Sequence, residues 1–234
     1  MVANAPDGGP DTSPPRYIRR VGYGQEIFNG LWRFTTVHPE WNDDADGWEP
    51  VVAWWSIQTD RGLLLIDPLV DDWDELDDLI RHGGGCAGVV RTLHWHQRSI
   101  DEVAQRYAAA VWARPWAHPE DRPEGSQPRG YDRAIEPGKP LPGDVLPFDA
   151  ARDDEVVLWS GPHKTLFFGD VLIRDADGRL RICPDDWIER AGGADAIRES
   201  LSELLELDVL NVFVAHGPLV LGDGRQALAD ALAP

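Results

Sequence analysis

Short strand-type runs followed by amphipathic helices occur twice along this chain, and that doubled order narrows the folds open to it. In the first half, Glu26-Ile27-Phe28, Leu31 to Val37, Val51 to Ile57 and Leu63 to Ile66 are β-branched, aromatic and apolar runs broken by the turn-rich stretch Asn42-Asp43-Asp44-Ala45-Asp46-Gly47. They read as an antiparallel opening. From Asp71 the period changes: Trp73, Leu76, Leu79 and Ile80 share a helical face, and Gly83-Gly84-Gly85 stops the helix. A strand from Gly88 to Leu93 leads into a second helix carrying Ile100, Val103 and Tyr107, which an S-x-x-E capping box of Ser99 and Glu102 would start. A short strand follows at Ala110 to Ala113.

The second half repeats this order. Strands are predicted at Val145 to Phe148, Glu155 to Trp159, Thr165 to Phe168 and Arg179 to Ile182, with a hairpin turn at Asp175-Ala176-Asp177-Gly178. A helix over Ala194 to Leu207 places Ile197, Leu201, Leu204 and Leu205 on one face. A strand at Asn211 to Val214 and a helix near Gln226 to Leu232 complete the chain. Strands then helices, twice over, predict an α/β (α+β) fold: an αββα sandwich of two mixed β-sheets with helices on the outer faces.

With 234 residues, 42% apolar content and 11 Trp, one sizeable core is within reach. The expected organisation is a single domain over 16–234 behind a Pro-, Gly- and Asp-containing disordered tail at 1–15. A formal charge of -19 surrounds such a fold with a negative field, which argues against nucleic acid and anionic membrane surfaces as partners. Cys86 and Cys183 are the two cysteines, outside any CxxC spacing; with no basic and apolar leader and no apolar run near membrane-spanning length, a cytoplasmic protein is expected. The Pro- and charge-rich loop from Arg114 to about Pro142 is long for a compact domain, and either covers a site or is simply mobile.

Chemistry concentrates in Arg91-Thr92-Leu93-His94-Trp95-His96-Gln97-Arg98-Ser99. Two histidines at i and i+2, at a strand-to-helix turn, can converge their imidazoles, and such pairs suit zinc or iron. His38, His82 and His118 sit in turn-like contexts and read as solvated. His163 falls in a hairpin turn. Of the adjacent Trp54 and Trp55, one must point to each sheet face.

Four segments in order resemble the metallo-β-lactamase fold hydrolases: Gly62-Leu63-Leu64-Leu65-Ile66-Asp67, the HxHxDH-like segment at His94, Leu166-Phe167-Phe168-Gly169-Asp170, and Val212-Phe213-Val214-Ala215-His216-Gly217. The resemblance covers the chain from about residue 20 to its end. It implies His94, His96, Asp170 and His216 as metal ligands, with Asp170 in the position of the bridging carboxylate. It also exposes departures. Arg98 stands where a ligand aspartate belongs, Ser99 stands where a ligand histidine belongs, and no histidine of a PGH-like segment lies between about 140 and 160.

A guanidinium cannot ligate a metal and repels a cation, so at most one metal ion, zinc or iron, is expected. Arg98 is expected to pair with Asp170 in place of the second ion. Ser99 is read as a helix cap, and Asp67 as a hydrogen-bond acceptor for loop backbone near the site. Two functions follow: hydrolysis of a small ester, thioester or related substrate through at most one metal, or a metal-free, catalytically inactive descendant. In the second, His94, His96, Asp170 and His216 form a hydrogen-bonded network, and the old cleft binds a small molecule or protein partner.

Overall fold

Seven strands cross the first sheet in chain order: β1 (Gln25–Phe28), β2 (Leu31–Val37), β3 (Val51–Thr59), β4 (Gly62–Ile66), β5 (Cys86–Val90), β6 (Val111–Ala113) and β7 (Arg133–Ala134). The first four pair antiparallel and the remainder parallel. A second sheet has the order β14 (Val220–Leu221), β13 (Asn211–Val214), β10 (Thr165–Phe168), β9 (Val156–Ser160) and β8 (Val145–Asp149); β10 and β13 are its parallel pair. A small hairpin joins β11 (Leu172–Arg174) to β12 (Leu180–Ile182). The structure, a computed structural model, describes residues 24–42, 48–115, 131–152, 155–175 and 177–234. The tail expected at 1–15, most of the loop from 114 to 142, Trp116 and His118 lie outside the described residues.

Apolar side chains separate into three layers, which is why the strands read as unbroken apolar runs. Trp55, Ile57, Leu64, Ile66, Val90, Leu158, Phe167 and Phe213 fill the space between the sheets. On the outer face of the first sheet, Trp54, Leu63, Leu65, Val89 and Val111 pack against Leu76 and Ile80 of α1 (Trp73–His82) and Ile100 and Val103 of α2 (Ile100–Arg106). Outside the second sheet, Leu166, Phe168, Val212 and Val214 meet Ile197 and Leu201 of α3 (Ala194–Leu201) and Leu228 of α4 (Gly224–Ala231). The result is the αββα sandwich. Trp54 and Trp55 do point to opposite faces, and both are buried because both faces are covered; Trp54 stacks on Phe34 at 3.8 Å. Each such fully buried large side chain contributes about 1.5–3 kcal/mol of transfer free energy.

Several boundaries differ from the sequence expectation. The strand expected over Gly88 to Leu93 is Cys86–Val90, since the chain turns out of the sheet toward a 3-10 helix at His94–Gln97. α3 ends at Leu201, and Ser202–Glu206 continue as a tighter 3-10 turn that keeps Leu204 buried. The strands β7 and β11 were not foreseen, being two and three residues long. At the start of α1, the acidic cluster behaves as its position predicts: Asp72 caps the helix, accepting from the Glu75 N–H at 2.9 Å.

The capping box at Ser99 does not form. Ser99 has a non-extended backbone (φ -92°, ψ 18°) and makes no side-chain bond to α2. Its Oγ instead accepts from the Val70 N–H at 2.9 Å, and its own N–H donates to the Pro68 carbonyl at 3.0 Å. Ser99 therefore ties the chain after β4 to the histidine turn.

Candidate metal centre

Both histidine-bearing ends lie at the same edge of the sandwich because the parallel strands β4, β5, β10 and β13 deliver their carboxyl ends there. Asp67 follows β4 directly, with a positive φ of 49° that turns its carboxylate back under the neighbouring loop. That carboxylate is fully buried; it accepts from the Thr92 N–H at 2.7 Å and from the Thr92 hydroxyl, and it lies 2.8 Å from His96 Nδ1. The expected role for Asp67, holding loop backbone, is present, and it also orients an imidazole.

His96 Nε2 and His216 Nε2 converge on one oxygen, Asp170 Oδ1, at 3.0 and 3.2 Å. Among the described residues, this buried trio is the group whose ligand-type atoms all lie within 4.8 Å of one another. His94 does not belong to it. That side chain is buried, with its ring 4.4 Å from Trp95, so the expected ligand set of His94, His96, Asp170 and His216 is brought together only in its last three members.

Two glycines make the convergence possible. A Cβ at Gly169 would lie 2.5 Å from Leu93 Cδ2 and 3.0 Å from Glu155 Oε1, so a larger residue there would have to displace these side chains from the Asp170 turn. Gly217 (φ 106°) would place a Cβ 2.1 Å from the Arg174 carbonyl oxygen.

Arg98 does not pair with Asp170 as the sequence led us to expect. Its backbone is strained into positive φ (φ 38°, ψ -127°), and the guanidinium Nη1 donates to the carbonyls of Ala53 and Asp67 at 3.1 and 3.0 Å. Nη2 lies 3.1 Å from His96 Nε2. Two backbone carbonyls on one nitrogen fix the planar fork against the imidazole rather than the carboxylate.

Among the described residues, the guanidinium nearest Asp170 is that of Arg152, whose Nη1 is 3.8 Å from Asp170 Oδ2 and 2.7 Å from Glu155 Oε2. Arg152 and Glu155 are both buried, and Glu155 Oε1 accepts from the Asp170 and Val171 N–H groups at 2.8 and 2.9 Å. Sequence reasoning missed this pair. The one signal available was an acidic residue opening the apolar run Val156-Val157-Leu158-Trp159.

The charges act on one another strongly. Burial pushes the Asp170 carboxyl up, but the His96 charge and hydrogen bonds from His216 and His96 outweigh it and hold the group well below the usual carboxylate range. For His96, burial and Arg98 pull the pKa down, and Asp170 with Asp67 reverse them to give a net rise. Burial pushes Glu155 up, with Arg152 opposing. Cys183 lies in the core of the second sheet, where burial pushes its thiol up to about 12; it offers no thiolate at neutral pH.

Aromatic rings flank His216: Trp48 at 5.3 Å and Trp187 at 6.0 Å, both roughly edge-on. His216 Nδ1 is buried with no hydrogen-bond partner among the described residues. Trp48 also contacts His38 at 5.3 Å, so His38 is half-buried rather than solvated, and burial followed by the Arg98 charge lowers its pKa. His82 is exposed as expected, and His163 lies in its predicted turn at the far pole, bonded to Ser160 Oγ at 2.8 Å.

The trio can be tested against a metal ion by its spacing. Bonds of about 2.0–2.2 Å at tetrahedral angles hold ligand atoms about 3.4 Å apart, close to the distances seen here. His96 Nδ1 on Asp67 supplies the carboxylate that metal-bound histidines commonly have behind them. One ion fits. Arg98, fixed against His96, leaves a cation where a second ion would need acceptors.

No family model matches the chain, and no curated protein matches it in sequence. Solved structures do match. The DIM-1 metallo-beta-lactamase superposes with a TM-score of 0.65 at 13% identity, covering 90% of this chain and 96% of that one. A beta-lactamase domain protein from Burkholderia ambifaria gives 0.63 at 14% identity (93% and 77%). A metallo-beta-lactamase family protein from Thermus thermophilus gives 0.60 at 14% (88% and 79%). The chain therefore has the metallo-β-lactamase fold. Within that fold it is a divergent member, far in sequence from each of these structures.

Proposed function

We propose that this protein is a hydrolase of a small ester, thioester or related substrate, working with a single zinc or iron ion held by His96, Asp170 and His216. The observation that carries this reading is the meeting of two imidazole Nε2 atoms at one buried carboxylate oxygen. Three protein ligands with room for a fourth are the usual makings of a catalytic zinc centre. A metal there would lower the pKa of bound water toward about 7 and polarise a substrate carbonyl.

The chain's own residues do the remaining work. Asp67 fixes the tautomer and direction of His96. Glu155 holds the backbone of Asp170 and Val171, so the shared carboxylate keeps its place. Trp48 and Trp187 shelter His216 from water, which strengthens electrostatic interactions at the site.

A metal-free binding protein is the second reading, favoured by a specific observation: Arg98 and Arg152 already supply two fixed cations beside Asp67, Asp170 and Glu155. Metal analysis of the purified protein separates the two. The hydrolase reading expects about one equivalent of zinc or iron, lost in His96→Ala and His216→Ala, together with chelator-sensitive cleavage of p-nitrophenyl acetate or an acyl thioester. A metal-free protein whose fold and ligand binding ignore chelators would replace it with the second reading.

A further inference from the structure

The nitrogen that would hold the metal is already engaged by two groups it cannot serve together. His96 Nε2 lies 3.0 Å from Asp170 Oδ1 and 3.1 Å from Arg98 Nη2. Nδ1 on the other side of the ring faces Asp67 Oδ2 at 2.8 Å, a carboxylate oxygen that accepts from the Thr92 hydroxyl while Oδ1 accepts from the Thr92 N–H; a carboxylate only accepts, so Nδ1 is the donor of this contact. Nε2 then offers either a lone pair or an N–H. A lone pair satisfies Arg98 and leaves Asp170 facing electron density; an N–H satisfies Asp170 and sets two donors against each other. A metal ion satisfies His96 and Asp170 at once and leaves Arg98 as the group that must give way.

Resting on the single-metal reading, we infer that Arg98 is a latch on the metal site: it competes with the ion for the His96 lone pair and so holds metal affinity down. Three features mark it as built for this. The residue accepts a strained positive φ that aims its side chain inward. Nη1 is pinned by two backbone carbonyls, Ala53 from β3 and Asp67 from the end of β4, so the fork cannot swing away freely. Its charge adds direct repulsion toward any divalent ion at His96. Arg98 is a positioning residue here, acting on the metal through His96. The ligand concerned is the divalent cation itself, and the expected consequence is a readily exchanged metal in place of a tightly retained one.

The test is zinc affinity, measured by competition with a chromophoric chelator on the full-length protein, with thermal unfolding followed in parallel. Arg98→Met keeps the apolar stem, removes the charge and the hydrogen bonds, and leaves two carbonyls unpaired. It is expected to lose stability and yet bind zinc about tenfold or more tightly, a combination that a purely structural arginine would not produce. Arg98→Lys, the milder change, keeps a charge but cannot span both carbonyls and His96; it should fold if the Met variant does not, and should show a smaller gain. His96→Ala sets the zero.

Affinity unchanged or weakened in both variants, while the wild type binds one zinc, overturns the latch and leaves the single-metal reading standing. Zinc bound by Arg98→Met and not by the wild type overturns the single-metal reading for the native chain, while showing that Arg98 is what opposes the ion. No zinc bound by the wild type or either arginine variant overturns both.

Discussion

Two fully buried carboxylates, one under each sheet's contribution to the site, do parallel jobs with different partners. Asp67, at the end of β4, accepts from the backbone and hydroxyl of Thr92 and steadies a histidine. Glu155, at the head of β9, accepts from the backbone of Asp170 and Val171 and is neutralised by Arg152. In the first half the carboxylate orients an imidazole; in the second it is answered by a permanent cation. The difference teaches which side still offers a ligand atom: the imidazole oriented by Asp67 presents Nε2 to Asp170, whereas the guanidinium on Glu155 has only donors.

The largest expected effect breaks the second member of this comparison. Glu155→Ala strands a buried guanidinium and frees two backbone N–H groups, and should cost about 3–5 kcal/mol in urea unfolding. The double variant Arg152→Met with Glu155→Leu should recover most of that loss, because removing both charges avoids leaving either one buried alone. A Glu155→Ala loss under about 1 kcal/mol would contradict a supporting role for the pair.

Asp67→Asn probes the other carboxylate. Loss of the ionised acceptor behind His96 should weaken zinc binding by roughly 10–100-fold, read by chelator competition. Equal affinity in the variant would mean that Asp67 holds the loop alone.

Ser99→Ala comes next, at about 1 kcal/mol for one lost hydrogen bond. Hydrogen exchange locates the effect: the Val70 amide should exchange faster while the first turn of α2 stays unchanged. Faster exchange confined to that turn would restore Ser99 as a helix cap.

The smallest effect belongs to Trp95, 55% exposed between two buried histidines. Trp95→Ala should shift stability by no more than about 0.5 kcal/mol. Any larger loss would show that its ring contact with His94 is structural.

How far the fold was legible follows from the same physics. The continuous apolar runs of β3 and β4 and the helical face of Leu76 and Ile80 are patterns that burial on both sheet faces imposes on a sequence. β7 and β11 are too short to show any period. Within the site, His96, Asp170 and His216 were legible as motif residues. Arg98 was legible as a charge but not as a geometry, because its partner is fixed by a backbone turn at φ 38° that residue identity does not encode. Arg152 and Glu155 were hidden for another reason: an i,i+3 Arg and Glu in a polar segment reads as solvated, and their burial comes from partners distant in sequence, the Asp170 and Val171 amides on Glu155 and the Trp187 carbonyl on Arg152.

The central claim is that His96, Asp170 and His216 together hold one divalent ion. Anomalous diffraction at the zinc edge, from crystals of the protein supplied with zinc, tests it most directly. One peak is expected, about 2.0–2.2 Å from His96 Nε2, a carboxylate oxygen of Asp170 and His216 Nε2. An empty trio in zinc-saturated crystals, or two ions flanking Asp170 with Arg98 still in place, would contradict it.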